Sequence, residues 1–262
     1  MSIQKYVITG HILEVYDYEK YVCGRGGKKS NNESEDLENV KEEIKNKILE
    51  NYSNHNVVRS NMIRRLACAN FNANSSFITL TFDDKKVNHD IHNVKECNNE
   101  FKKFIKRLKW YLNNNEFYKK IGFKELKYLA VIEFQDKNDR RAVHYHVLFN
   151  LPFIAQDDLK EIWGLGFVYP EAIKHVDNVG AYIVKYMTKD NEDERLMGLP
   201  AYLRSKNLIE PEEIIALDEK IKDSKEYMLI DTILSNKYPV YEAEYETEFL
   251  GKCNYKQFNL ER

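Results

Sequence analysis

The stretch LKYLAVIEFQDKNDRRAVHYHVLFN, residues 126–150, constrains the fold more than any other part of the chain. Two apolar runs, 126–134 and 142–149, flank the polar break QDKNDRR, and such a short break between strands is the mark of a β-hairpin. Side chains alternate faces along a strand, so His144 and His146 share one face and Tyr145 takes the other. With the turn centred near residues 138 and 139, Glu133 falls opposite His144, and directly paired residues have Cβ atoms roughly 5 Å apart. Two imidazoles and a carboxylate converging on one patch of sheet suit a divalent metal, Mg²⁺ or Mn²⁺, with mixed N/O ligation and open positions. The alternative is a pair of structural histidines. A register slip of one residue would carry Glu133 to the other face.

The remaining elements follow from periodicity. Strands are expected at HILEVYDY within the first 20 residues, at 76–84 and at 166–173; helices are expected at 34–52, 57–71, 98–112, 156–164 and 178–190, the last capped by Asp177 or Asn178. Beyond Pro211 the pattern predicts helix, helix and a final strand in YPVYEAEYETEFLG. There is no internal repeat and no linker. The expected organisation is one α+β unit: an N-terminal extension with helices (1–70), a main domain (71–208) and a C-terminal helical and strand elaboration (209–262).

Composition narrows the function classes. At 43% hydrophobic and 31% charged, the chain reads as a globular protein. It has no apolar run of about 18 residues, so no membrane partner is expected. Its first residues, MSIQKYVITGHILEV, lack a signal-peptide layout, which makes the cytoplasm the expected compartment. Cys23, Cys68, Cys97 and Cys253 form no CxxC pair and are read as reduced thiols. The loop GRGGKK lacks the glycine and hydroxyl of a phosphate-binding loop, since Val22 and Lys29 stand in those places. The net charge of −2 argues against a nonspecific coat on nucleic acid, but the charge is uneven. Lys102, Lys103, Lys106, Arg107 and Lys109 lie away from the apolar stripe Phe101, Phe104, Ile105, Leu108 and Leu112 of one helix. These residues, with Arg64 and Arg65 of the helix before it, read either as phosphate contacts or as solvated helix faces.

A second constellation lies in YIVKYMTK, residues 182–189. Tyr182 and Tyr186 are four apart and share a helix face, and Lys185 and Lys189 each follow a tyrosine by three. Two tyrosines packing on a core would give this pattern. So would a nucleophile pair, because nearby lysines and a metal-polarised phosphate offset the poor nucleophilicity of a phenol with a pKa near 10.

Taken together, FITLTF (77–82), AVHYHVLFN and GAYIVKYMTKD resemble, in order, the three motifs of the HUH endonuclease superfamily, and specifically its two-tyrosine rolling-circle replication initiators of phages and plasmids. The resemblance spans roughly 77–190; helix 98–112 and the run LPAYLRSKNL (199–208) also sit where such initiators tend to have similar segments. It implies an antiparallel sheet with flanking helices, related to ferredoxin-like and RRM-like folds. It further implies metal held by His144, His146 and Glu133, attack on single-stranded or hairpin origin DNA by Tyr182 or Tyr186, and Lys185 holding the phosphate. Tyr182 fills the place used by single-tyrosine relatives. The products would be a 5′-phosphotyrosine and a free 3′-hydroxyl for a polymerase, with a host helicase acting in trans. A relaxase or transposase would use the same chemistry; a non-catalytic single-strand binder or a metal phosphodiesterase would not need the tyrosines.

Overall fold

The computed structural model describes residues 3–19, 58–136, 140–151, 154–174, 176, 178–186, 194–196, 198–200, 202–216, 225–247 and 251–261. Along the chain these form β1 (Ile3–Thr9), β2 (Ile12–Tyr18), helix α1 (58–70), β3 (Ser76–Thr81), α2 (Val94–Asn114), α3 (Glu116–Lys120), β4 (Tyr128–Phe134) and β5 (Val143–Phe149). Next come α4 (Gln156–Trp163), β6 (Val168–Ala172), α5 (Val179–Val184), a 3-10 turn (Glu194–Leu196), β7 (Tyr202–Arg204), β8 (Glu212–Ala216), α6 (Lys225–Asn236), β9 (Tyr241–Thr247) and β10 (Gly251–Asn259). The fold is α+β, with two five-stranded antiparallel sheets and helices packed on them. Among the described residues no helix is long and apolar enough to cross a membrane.

The chain divides into two units, one of residues 54–209 and one joining 1–53 to 210–262. The termini are thus two parts of one sheet, ordered β8-β1-β2-β10-β9. One face of that sheet packs Tyr6, Leu13, Val15 and Phe258 against Ile230, Ile233 and Leu234 of α6. On the other face the fully buried Glu14 accepts hydrogen bonds from the hydroxyls of Tyr16 and Tyr255, at 2.9 and 2.7 Å. Residues 212–216, expected to be helical, form β8 because they pair with β1. Such a pairing, across some 200 residues of sequence, leaves no local trace. The first 20 residues hold two strands, not one, turned at Gly10 with φ of 60°. The expected helix at 34–52 lies outside the described residues, as does Cys23; Cys68, Cys97 and Cys253 are free and buried.

In the 54–209 unit the strand order is β6-β3-β5-β4-β7. Central β5 is buried at all seven positions, as a strand covered on both faces must be. On the first face Ile78, Leu80, Ile132, Tyr145 and Val147 pack under α2 and α4. Phe101, Phe104, Ile105, Leu108 and Leu112 of α2 are buried, as their spacing requires. Asn93 caps that helix by accepting from the backbone N–H groups of Lys95 and Glu96. On the second face Phe77, Leu129, Val131 and Leu148 meet Ile63, Leu66 and Ala67 of α1 and Val179 and Ile183 of α5.

Helix α5 starts at Asn178, whose side chain accepts from Ala181 N–H, and ends at Val184, well short of the expected residue 190. Lys185 and Tyr186 form a turn instead, and residues 187–190 lie outside the described set. Gly180 lets α5 lie almost on the backbone of α1: a Cβ there would stand 2.2 Å from the Arg64 carbonyl oxygen and 2.8 Å from Cys68 Sγ. Alanine normally stabilises a helix by about 1 kcal/mol over glycine. Here the overlap is with backbone, and forcing the helices apart costs more, about 1–3 kcal/mol or above. Gly180→Ala is therefore expected to lower the melting temperature of this unit by several degrees in thermal circular dichroism; an unchanged or raised value would contradict the close crossing.

Candidate active site

Strand registers lay out the second face as a grid. At its covered end, Glu171, Phe77, Leu148, Leu129 and Arg204 lie side by side across β6, β3, β5, β4 and β7. The next row is Tyr169, Thr79, His146, Val131 and Tyr202. At the open end stand Phe167, Thr81, His144 and Glu133, with Phe167 aligned by the 3.0 Å bond from Thr81 N–H to its carbonyl. The hairpin register places Glu133 opposite His144, as the turn length predicts.

His146 is fixed on three sides. Its Nδ1 lies 3.0 Å from Thr79 Oγ1, its Nε2 lies 2.5 Å from Glu133 Oε2, and its ring stacks on Tyr186 with centroids 4.1 Å apart. His144 is 8% exposed, and its buried Nε2 has no hydrogen-bond partner. Burial, then His146, then Arg140 push its pKa down to about 4, against the pull of Glu133, so the ring is neutral at pH 7. Among the described residues no three His, Cys, Asp or Glu side chains are grouped so that they could together hold a metal ion. The geometry explains this, because the Glu133 carboxylate and the His146 nitrogen that would face an ion face each other. The donor chemistry still fits a divalent cation: a partnerless buried imidazole nitrogen, a second imidazole and a carboxylate lie on adjacent strands of one face.

The tyrosines close over the covered end of this face. Their hydroxyls are 3.3 Å apart. Phe77 meets Tyr182 edge-on at 4.9 Å and Tyr186 at 5.3 Å between centroids. Lys185 Nζ sits 3.6 Å above the Tyr182 ring and 5.2 Å from that of Tyr186, a cation–π arrangement. Burial first, then hydrogen bonding to Tyr186 and Glu171, raises the pKa of Tyr182 and keeps its proton in place. The structure thus brings His144, His146, Glu133, Tyr182, Tyr186 and Lys185 to one region of one face.

The basic residues are not brought there. Lys102, Lys103, Lys106 and Lys109 are exposed on α2, which covers the opposite face of the sheet, and Lys103 pairs with Glu100 at 2.6 Å. Arg107 donates to the carbonyls of Ile162 and Trp163 at 2.8 and 3.0 Å, closing the end of α4. Arg64 and Arg65 are half-buried on α1, and Lys189 lies outside the described residues. Sequence reading did not single out Phe77, Thr79 or Glu171. The alternation in SFITLTF places Phe77 and Thr79 on one face, but only the pairing of β3 with β5 sets them beside His146.

The buried His144 makes stability depend on pH. The unfolded ring protonates near pH 6.5 and the folded one only near 4, so between these values the unfolded chain binds the extra proton. The contribution is complete above about pH 6.5 and is lost as the pH falls toward 4, with a full extent of about 3 kcal/mol. Denaturant unfolding at pH 7 and pH 4.5 is expected to show a smaller acid loss in His144→Gln than in the parent, by roughly 2–3 kcal/mol. Equal losses would show that His144 is not the buried titrating group.

Comparison with known proteins adds one finding. No curated protein and no solved structure matches the chain. Residues 75–191, which run from the start of β3 through the tyrosine turn, match the family model of the replication-associated protein ORF2, so the segment that holds the histidine strand and both tyrosines is similar to a family of replication initiators.

Proposed function

We propose that this protein is a rolling-circle replication initiator of the two-tyrosine HUH type that nicks and rejoins single-stranded or hairpin origin DNA. The observation that carries the reading is the placement of two tyrosines against the histidine strand, with the Tyr186 ring stacked on His146 and its hydroxyl 3.3 Å from that of Tyr182. A core-packing stripe would not need the imidazoles beneath it, and a structural histidine pair would not leave a buried ring nitrogen without a partner.

Tyr182 Oη attacks the scissile phosphorus, forming a 5′-phosphotyrosine bond as the P–O3′ bond breaks and the 3′-oxygen leaves to take a proton. Glu171, hydrogen-bonded to Tyr182, accepts the phenolic proton. That assistance is needed because burial holds the phenol in its protonated form. Lys185, already over both rings, follows the negative charge from phenol to phosphate. Rejoining is the reverse transfer, which conserves the ester bond and needs no nucleotide. Tyr186 supplies a second acceptor while Tyr182 is occupied. Held by His144, His146 and Glu133, a Mg²⁺ or Mn²⁺ ion would polarise the scissile phosphate. It would also offset the repulsion between Glu133, Glu171 and a DNA backbone. The free 3′-hydroxyl would prime a polymerase, with unwinding left to a helicase in trans. The likeness of residues 75–191 to replication-associated proteins favours replication over mobilisation or transposition by the same chemistry.

Single-stranded oligonucleotides tiling the encoding replicon, incubated with Mn²⁺ or Mg²⁺ and resolved on denaturing gels, test this. A covalent protein–DNA band is expected, falling to background when both Tyr182 and Tyr186 are changed to Phe. Glu171→Gln is expected to slow its formation roughly hundredfold. Cleavage without an adduct would overturn the nicking–joining reading in favour of hydrolysis.

A further inference from the structure

We infer that Phe167 and Tyr169 form a stacking platform for two unpaired bases of the DNA strand beside the scissile phosphate. The inference rests on the reading of this face as a single-strand nicking site and extends it to how the strand is held. Both side chains are strongly exposed, 71% for Phe167 and 63% for Tyr169, whereas Val168 between them is 3% exposed and packs into the core on the other face. The alternation puts both rings on the histidine face: Tyr169 in the row of Thr79 and His146, Phe167 in the row of Thr81 and His144.

Single exposed aromatics are ordinary. Two at alternate positions of one strand, in the rows of both histidines, are not scattered. Nor are they on a loose loop. Phe167 is held by backbone bonds on either side: Thr81 N–H to its carbonyl at 3.0 Å, its own N–H to Thr81 Oγ1 at 3.2 Å, and Asp83 N–H to the Leu165 carbonyl at 2.8 Å. Gly166 makes this approach possible, since a Cβ there would lie 2.1 Å from the Thr81 carbonyl oxygen. The rings are therefore positioned before any strand arrives, which reduces the entropy lost on binding.

Spacing selects the ligand. Alternate residues of a strand are about 6.6 Å apart, roughly twice the 3.4 Å rise between stacked bases on one strand of a duplex. Bases seated one on each ring must be splayed, which a single strand allows and a duplex does not. From β6 to β5 is two strand spacings, roughly 10 Å, so these bases would belong to the nucleotides next to the phosphate at His144 and His146. Every base has a π-face, so the platform holds the strand without reading its sequence.

The test uses the Tyr182→Phe/Tyr186→Phe protein, so that nothing is cleaved, with a short fluorescein-labelled oligothymidylate followed by anisotropy. Phe167→Ala and Tyr169→Ala are each expected to raise Kd about tenfold, and Phe167→Trp and Tyr169→Trp to restore it. Binding of a duplex of equal length should not change. An oligothymidylate carrying 2-aminopurine should be quenched by the parent and less by the alanine variants, a signal that mere structural damage would not give. Alanine variants binding within twofold of the parent would overturn the platform, as would a parent that binds no single strand. The platform and the nicking reading fail separately. Ring-dependent binding without any covalent adduct in the tyrosine-intact protein leaves the platform standing on a non-catalytic binder. Adduct formation with ring-independent binding removes the platform alone.

Discussion

The register of β5 against its two neighbours is the constraint on which the candidate site depends. The side-chain period of a strand is two, so a slip of one residue would bury His144 and His146 under α2 and turn Tyr145 toward the tyrosines. Tyr145 opposes that slip. Its ring is fully buried among Phe101 and Phe82, and its hydroxyl donates to Asn98 Oδ1 at 2.7 Å. Exchanging a satisfied buried phenol for an imidazole without partners would cost several kcal/mol. The core under α2 thus sets which residues the opposite face presents.

The two faces of that sheet differ in finish. Under α2 and α4 the packing is apolar, and Trp163 is buried with its indole N–H on the Thr81 carbonyl at 2.8 Å. Under α1 and α5 the apolar contacts cover only the end at Phe77, Leu129 and Leu148, and polar groups take over toward His144. An incomplete core is costly to keep, and local departures from good packing gather at functional sites. The short α5 follows the same pattern: regular helix stops at Val184, and Tyr186 reaches His146 from a turn.

What could be read in the sequence, and what could not, follows range. The hairpin, its register and the opposition of Glu133 to His144 were legible because a short turn fixes pairing locally. The shared face of Tyr182 and Tyr186 was legible from their spacing, although the turn at Lys185 was not. Thr79 beside His146 and Glu171 beside Phe77 depend on strands far apart in the chain, and no periodicity encodes that. For the same reason residues 212–216 read as helix and fold as an edge strand. Arg107 looked like its lysine neighbours because a helical pattern cannot show that α4 ends beside it.

The 3.3 Å between the two phenolic oxygens has an electrostatic consequence. Two phenolates that close would repel by about 5 kcal/mol at an effective dielectric constant near 20. The pair therefore loses its protons in two well-separated steps that belong to both rings jointly. Over the range between those steps it holds a single negative charge. Such a couple is negatively cooperative by construction: whichever oxygen is charged keeps the other neutral, and the two take turns.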